Sequence, residues 1–234
     1  MTESFATAFE LIVHADPALV RTVALSFAVS GMACLCAAWL GLLGGAWLAV
    51  ARFRGRAVVL VALDTLLALP SVVAGLAVYL LLSRSGPLGS WGILFTPTAM
   101  VIAQTILVLP VVAALARQVA ADALRDGGDQ MRSIGAGPML CALLMLLHER
   151  WAVMTLLLIA FGRAIAEVGA VMMVGGNIDG VTRVMTTTIA LETSKGDLPL
   201  ALALGGVLLA EDALLNLAIV ALRRGSGSLV PEAR

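Results

Sequence analysis

The feature that most constrains this chain is an apolar stretch over residues 22–50 that contains no charged side chain. It is longer than the ~20 residues that an α-helix needs to cross the hydrocarbon core of a bilayer. Because lipid offers no hydrogen bonds to an open backbone, a lone crossing segment has to pair its N–H and C=O groups within itself, as a helix does. Hydrophobic residues form 61% of the chain and the mean hydropathy is +1.03. The sequence therefore predicts an all-α polytopic membrane protein.

Further apolar stretches predict about five transmembrane helices in a single domain of residues 1–234. In the second, Pro70 removes a backbone donor and is expected to kink the helix. In the first, Gly41 and Gly45 have the small-xxx-small spacing that allows another helix to approach closely. The longest polar interruption is predicted to be a loop over residues 117–150. The predicted spans are residues 22–50, 57–82, 98–116, 151–174 and 198–222.

Basic residues are distributed unevenly between the two ends of these spans. Ten of the 15 lie on one side, four lie on the other, and Arg163 falls inside the fourth span. The positive-inside rule then predicts that the C-terminus and residues 117–150 are cytoplasmic and that the N-terminus is outside. The first residues carry acids where a signal peptide carries basic residues, so the first apolar stretch is expected to remain as a span.

The residues present also exclude several classes of function. With 15 basic and 15 acidic residues, the chain has no net charge that would indicate a nucleic-acid partner. The three cysteines and two histidines lack the spacing of metal ligands, so no metal site is predicted. The only lysine, Lys195, follows Ser194 where a phosphate-binding loop requires glycine, so ATP has to be bound by another polypeptide. No catalytic residue is predicted.

Two charged residues lie in an apolar helix at the start of the segment 162–197, which reads GRAIAEVGAVMMVGGNIDGVTRVMTTTIALETSKGD. Arg163 and Glu167 are four residues apart, one helical turn, so they can pair with each other or face one pathway. Each charge costs about 2.5–3.5 kcal/mol at the bilayer centre, which makes both residues functional candidates. The alternative is an ion pair that only locks helices together.

The same segment contains a glycine pair, Gly175 and Gly176, followed by Asn177 and a threonine-rich stretch. Glycine accepts backbone angles that other residues resist, so the pair can act as a hinge. Residues 181–191 have roughly helical apolar spacing and are predicted to form a short re-entrant or surface-lying helix that Gly196 ends. This part either lines a pathway or is a tight loop between two helices.

A short amphipathic helix is expected before the fourth span. Asp129 can cap its N-terminus, and Gly135 can end it before Pro138 opens the next helix. Met131 and Ile134 lie three residues apart and would share one face of it.

The run GRAIAEVGAVMMVGGNI, followed by TRVMTT and LETSKGD, resembles the corresponding region of tungstate-type ABC transporter permeases, within the molybdate and sulfate oxyanion importer group. Residues 129–137 resemble the cytoplasmic coupling loop of ABC permeases, whose pattern is Glu-Ala-Ala, three residues and then Gly. Gly135 and Ala136 match this pattern. Asp129, Gln130 and Met131 stand where Glu, Ala and Ala are usual.

The resemblance implies the fold of a type I ABC importer permease and the import of an oxyanion, with tungstate favoured over molybdate and sulfate. It implies a homodimer in the plasma membrane of a prokaryote, a separate ATPase subunit that binds ATP, and an extracytoplasmic oxyanion-binding protein. The chain would then be no enzyme and would bind no cofactor directly. The residues expected to line or gate the pathway are Arg163, Glu167, Gly175, Gly176, Asn177, Thr182 and Arg183. Those expected to contact the ATPase are Asp129, Met131, Ile134, Gly135 and Ala136.

The alternative function is that of a self-sufficient secondary carrier or channel, in which a set of acidic residues carries protons or cations. These residues are Asp64, Glu167, Glu211 and Asp212. Such carriers often have two matching halves, and the sequence has no internal repeat, which favours the importer. The sequence leaves open whether Glu211 and Asp212 are protonated or paired with a basic side chain of a neighbouring helix.

Overall fold

The computed structural model describes residues 7, 9, 10, 12–14, 16–133 and 135–225, and this part of the chain contains helices and no strand. A 3-10 turn, Gly89–Trp91, lies in the connection between the third and fourth of these helices. The helices are α1 (Pro17–Val50), α2 (Arg56–Leu67), α3 (Ser71–Leu82), α4 (Pro97–Ser133), α5 (Pro138–His148), α6 (Arg150–Ile165), α7 (Gly169–Gly175), α8 (Met185–Lys195) and α9 (Leu198–Gly225).

The most extensive packing between two helices is that of α1 against α4. Helix α1 begins after Asp16, whose carboxylate accepts hydrogen bonds from the N–H groups of Ala18 and Leu19. A Cβ added to Gly45 would lie 2.6 Å from the carbonyl oxygen of Ala113, and one added to Gly41 would also collide with α4. The prediction that these two glycines admit a close helix neighbour is confirmed.

The second predicted span is broken into two helices. Helices α2 and α3 meet at an angle of 103°, and Pro70 stands immediately before the first residue of α3. Because proline has no N–H to donate into a preceding turn, the break falls where the sequence predicts a kink. Helix α2 has no buried residue in the single chain.

The fourth predicted span, residues 151–174, is not one helix. Helix α6 ends at Ile165 and α7 begins at Gly169, with Glu167 in the break between them. The Glu167 carboxylate accepts a hydrogen bond of 3.1 Å from the N–H of Ala170, in the first turn of α7. The Glu167 side chain therefore satisfies a free N–H at the start of α7, at the point where the predicted span is interrupted.

Residues 117–150 are mostly helical rather than a loop. Helix α4 continues past Asp129 to Ser133, so the expected separate helix that Asp129 caps is wrong, and Asp129 lies inside a longer helix. The physical reason is that no residue stops the helix before Gly135, which has a left-handed φ of +84°. Pro138 opens α5 as predicted. Ile134 lies outside the described residues.

Three of the helices are long and apolar enough to cross a membrane in the described part of the chain. They are α1, residues Pro97–Gly128 of α4, and Leu198–Arg223 of α9. The number rises to as many as five if each bent pair, α2 with α3 and α5 with α6, forms one span. The bend between α5 and α6 is 80°.

The core beneath the candidate site lies where α3, α4 and α7 meet. Met100, Val171 and Val174 are fully buried there. Gly75 of α3 approaches α7 so closely that an added Cβ would lie 2.6 Å from the Cα of Ala170. Packing of this kind holds α7, and the loop that follows it, in a fixed position against the two neighbouring helices.

Candidate functional site

The centre of the site is the reversal of the chain after α7. Gly176 and Asn177 both have left-handed backbones, with φ of +70° and +50°. A Cβ added to Gly176 would lie 2.9 Å from the ring of Phe95, so glycine is required there by conformation and by space. The N–H of Gly176 donates to the carbonyl of Met172 at 3.0 Å. The end of α7 uses this N–H, so Gly176, which was expected to line or gate the pathway, does not offer it to an anion in this conformation.

The buried side chain of Thr182 links the two ends of the loop that follows α7. This side chain is 0% exposed. The hydroxyl donates to the carbonyl of Gly175 at 2.6 Å and accepts from the N–H of Ile178 at 2.9 Å. Both bonds are internal, so the hydroxyl of Thr182, a residue expected to line or gate the pathway, is not available as a donor to a passing anion in this conformation. Thr182 shapes the loop.

The threonines of α8 tie the loop to the rest of the bundle. The Thr186 hydroxyl donates to the carbonyl of Glu167 at 2.8 Å, which joins α8 to the break before α7. The N–H of Met185 donates to the hydroxyl of Ser26 at 2.8 Å, which joins α8 to α1. Gly196 ends α8 with a φ of +85°, as predicted. The short helix itself runs over Met185–Lys195 rather than 181–191.

Asn177 lies between α7 and α8 with its side chain half-buried. Its Nδ2 donates to the carbonyl of Thr187 at 3.4 Å, a long bond. Its Oδ1 is buried and has no hydrogen-bond partner among the described residues. The side chain is therefore held weakly, and a change of the loop can release its amide group at little cost.

Arg163 and Glu167 form no ion pair with each other in the part of the chain that the structure describes. Of the arrangements that the sequence left open, the ion pair does not form, because α6 ends at Ile165 and helical one-turn spacing does not extend to Glu167. The Arg163 side chain is exposed on the single chain, whereas Glu167 is half-buried. The two residues nevertheless border the same narrow gap, together with Gln104 of α4.

Gln104 is a polar residue of this gap that the sequence reasoning missed. It is 3% exposed, and its Nε2 donates to the carbonyl of Ala164 at 2.9 Å. Its Oε1 is buried without a partner among the described residues. An amide side chain inside the apolar stretch 98–116 was the signal that could have identified it.

Arg183 pairs with Asp179 across a distance of 3.2 Å between Nη1 and Oδ1. The Asp179 side chain is 83% exposed, so water screens the pair and its stabilising effect is small, in the range of about 0–1 kcal/mol. A second guanidinium lies nearby, since a Cβ added to Gly180 would be 3.9 Å from Nη1 of Arg21. The two arginines give this end of the loop a positive potential.

The four carboxylates of the alternative carrier form no common cluster among the described residues, although Glu211 and Asp212 are neighbours in α9. Glu167 borders the gap beside Gln104, whereas Glu211 borders a separate apolar cavity of about 470 Å³ with Phe27 and Phe161. Glu211 is buried, and neither carboxylate oxygen has a partner among the described residues. Asp64 is exposed on α2, which has no buried residue.

Of the residues predicted to contact an ATPase, Gly135 and Ala136 lie in the turn between α4 and α5, and Met131 lies near the C-terminal end of α4. The N–H of Ala136 donates to the carbonyl of Met131 at 3.2 Å, which closes the turn around Gly135. Gly135 is exposed, and an added Cβ would meet no atom within 4 Å. The turn is accessible to a partner, and a side chain at Gly135 would extend from its surface.

No family model matches the chain. A tungstate uptake system permease protein of Peptoclostridium acidaminophilum is 39% identical over 95% of this chain and 98% of its own length. A probable anion ABC transporter permease protein of Haloferax volcanii is 42% identical over 82% and 85%. A tungstate uptake system permease protein of Campylobacter jejuni is 34% identical over 95% and 93%. Sulfate and molybdenum transport permeases match smaller shares of the chain.

Proposed function

This chain belongs to the family of tungstate-type ABC transporter permeases, and from that premise we propose that it is the membrane subunit of an importer that carries tungstate into the cell. One observation carries the proposal: two relatives named as tungstate uptake permeases each match 95% of the chain. More distant sulfate and molybdenum permeases support an oxyanion as the class of substrate. The chain is a multi-pass membrane protein and a transport subunit rather than an enzyme.

The pathway follows the break between α6 and α7 and the loop after α7. A doubly charged tetrahedral anion needs donors and positive potential to cross the bundle, but tight binding would trap it. Arg163, which has no ion pair within the described residues, and Arg183, whose partner Asp179 is exposed, supply exchangeable positive charge. Asn177 supplies a weakly held amide group.

The other proposed gate residues act on the shape of this pathway. Gly175 and Gly176 form the turn, and Thr182 fixes it through its two internal hydrogen bonds. Glu167 holds the start of α7. These four residues set where the arginines and Asn177 stand, so their substitution changes transport through geometry rather than through lost contacts with the anion.

The partners are a second copy of the chain, an ABC ATPase that binds the ATP, and an extracytoplasmic oxyanion-binding protein. The turn around Gly135, with Asp129 and Met131 in the helix before it, docks into the ATPase and transmits its closure to α4 and α5. Its exposure and its position at the end of both helices support this role.

The orientation follows from the distribution of basic residues, with the turn between α4 and α5 in the cytoplasm. In a background without the native cysteines, Ser90→Cys should react with an impermeant maleimide from outside. Gln130→Cys should react only after the membrane is opened. Labelling of Gln130→Cys in intact cells would refute the orientation.

The function is tested by stimulated ATP hydrolysis. The permease is purified with its ATPase, reconstituted, and mixed with the binding protein loaded with tungstate, molybdate or sulfate. Tungstate-loaded protein should raise the hydrolysis rate most, and the free binding protein should raise it least. Hydrolysis that is indifferent to the loaded anion, together with uptake driven by an ion gradient alone, would favour the secondary carrier.

A further inference from the structure

A large basic cavity lies at the end of the bundle opposite the pathway loop. It has a volume of about 970 Å³ and is formed where α1 ends, α2 begins and α4 passes the first residue of α5. Three arginines line it, Arg52, Arg56 and Arg125, and no acidic residue is among the described residues of its wall. The proposed pathway and the proposed contact with the ATPase make no use of it.

The positive charge of this cavity is only partly compensated. Arg125 pairs with Asp122 at 2.7 Å, but both side chains are more than half exposed, so the pair is weak. Arg56 donates through Nη2 to the carbonyl of Leu48 at 3.1 Å, a neutral partner. Arg52 is exposed and has no ion pair or hydrogen bond among the described residues. The cavity therefore attracts an anion that two or three guanidinium groups can share.

The surroundings of the cavity are those of a lipid rather than of a free ion. Trp47 and Phe53 stack on each other with ring centroids 5.4 Å apart, and they flank the residues that line the wall. Trp47 is 50% exposed and Phe53 is 38% exposed. Val58, in the first turn of α2, is also exposed. Aromatic rings of this kind mark the membrane interface, so a charged cavity here meets the headgroup layer while the apolar surface meets acyl chains.

We propose that this cavity binds the phosphate of an anionic phospholipid, with its acyl chains along Trp47, Phe53 and α2. Guanidinium groups suit this ligand because they form paired hydrogen bonds to phosphate oxygens. Basic pockets between membrane helices at the cytoplasmic side are known to hold acidic headgroups. The bound lipid would join the end of α1 and the start of α2 to α4 and α5, and so would brace the turn that α4 and α5 share.

The test compares two arginines of one loop. Arg52 lines the cavity, whereas Arg54, two residues away and also exposed, does not. The permease–ATPase complex is purified in detergent, and binding of phosphatidylglycerol and of phosphatidylcholine with identical chains is measured by native mass spectrometry. Arg52→Gln should weaken phosphatidylglycerol binding about five-fold, since each arginine near an acidic lipid surface contributes about that factor. Arg54→Gln should leave the bound lipid unchanged. Phosphatidylcholine should bind weakly to all three proteins.

Several outcomes would overturn the proposal. Equal losses in Arg52→Gln and Arg54→Gln would mean that the lipid responds to general surface charge. Displacement of phosphatidylglycerol by millimolar inorganic phosphate would mean that the cavity takes a free anion. Release of the ATPase by Arg52→Gln with lipid binding unchanged would assign the cavity to acidic residues of that subunit. The unfolding midpoint without added lipid should be the same in all three proteins, because Arg52 has no described partner to lose.

Discussion

Replacement of Thr182 by valine tests the internal support of the pathway loop. Valine has nearly the shape of threonine and lacks only the hydroxyl, so the fully buried space stays filled. The substitution removes the bond to the carbonyl of Gly175 and the bond from the N–H of Ile178. No other residue of the loop is changed.

The expected loss of stability follows from those two groups. The Gly175 carbonyl is in a buried residue, and a buried polar group left without a partner costs about 1–3 kcal/mol. Ile178 is exposed, so its N–H can bond water and costs about 1 kcal/mol at most. The total is about 1–4 kcal/mol. For a chain of this size the thermal midpoint should fall by about 2–16 °C.

The assay is the thermal midpoint of the purified permease–ATPase complex without tungstate, followed by uptake into vesicles. Thr182→Val should lower both, Thr182→Ser should retain most of both because it keeps the hydroxyl, and Thr193→Val is the control at an exposed threonine. A wild-type midpoint in Thr182→Val would refute the structural role. Lost uptake at an unchanged midpoint would indicate instead that the hydroxyl contacts the anion.

Three further substitutions examine the turn, the positive end of the loop and the coupling tip. Gly176→Ala should reduce stability and uptake more than Gly180→Ala. Both glycines have a φ of +70°, but only a side chain at Gly176 would collide with a neighbouring ring. Equal thermal midpoints in the two variants would refute the steric argument. Arg183→Ala should lower uptake with assembly intact. Asp179→Asn should leave uptake equal or raised at low tungstate concentration, since it removes the partner of the arginine. Wild-type uptake in Arg183→Ala would exclude a lining role for Arg183. Gly135→Gln should separate ATP hydrolysis from transport or loosen the ATPase, and unchanged stimulated hydrolysis would contradict docking at this turn.

Sequence reasoning succeeded where a residue acts through its own backbone chemistry. Pro70 and Pro138 mark helix starts because proline lacks an N–H, and Gly135 and Gly196 mark helix ends because glycine accepts a left-handed φ. Gly41 and Gly45 of α1 likewise indicated that another helix packs closely there, without identifying that helix as α4. Such signals depend on one or two residues within a helical turn and can be read from the chain alone.

The same reasoning failed where a contact between distant segments decides the outcome. The fourth apolar stretch looks continuous, yet it breaks at Glu167, whose carbonyl is bonded by Thr186 of α8. The hydroxyl of Thr182 is used because the reversal after α7 brings Gly175 back to it. Gln104 becomes part of the site only because α4 packs beside the end of α6. Spacing along the chain cannot supply these distances.

The central claim is that this chain moves an oxyanion only when a separate ATPase drives it. The most direct measurement is tungstate uptake into proteoliposomes that contain the permease, the ATPase and ATP, with the binding protein on the opposite face. The account predicts uptake that requires all three proteins and ATP and that stops when the ATPase is omitted. Tungstate accumulation by the permease alone, driven by a proton or sodium gradient, would contradict it.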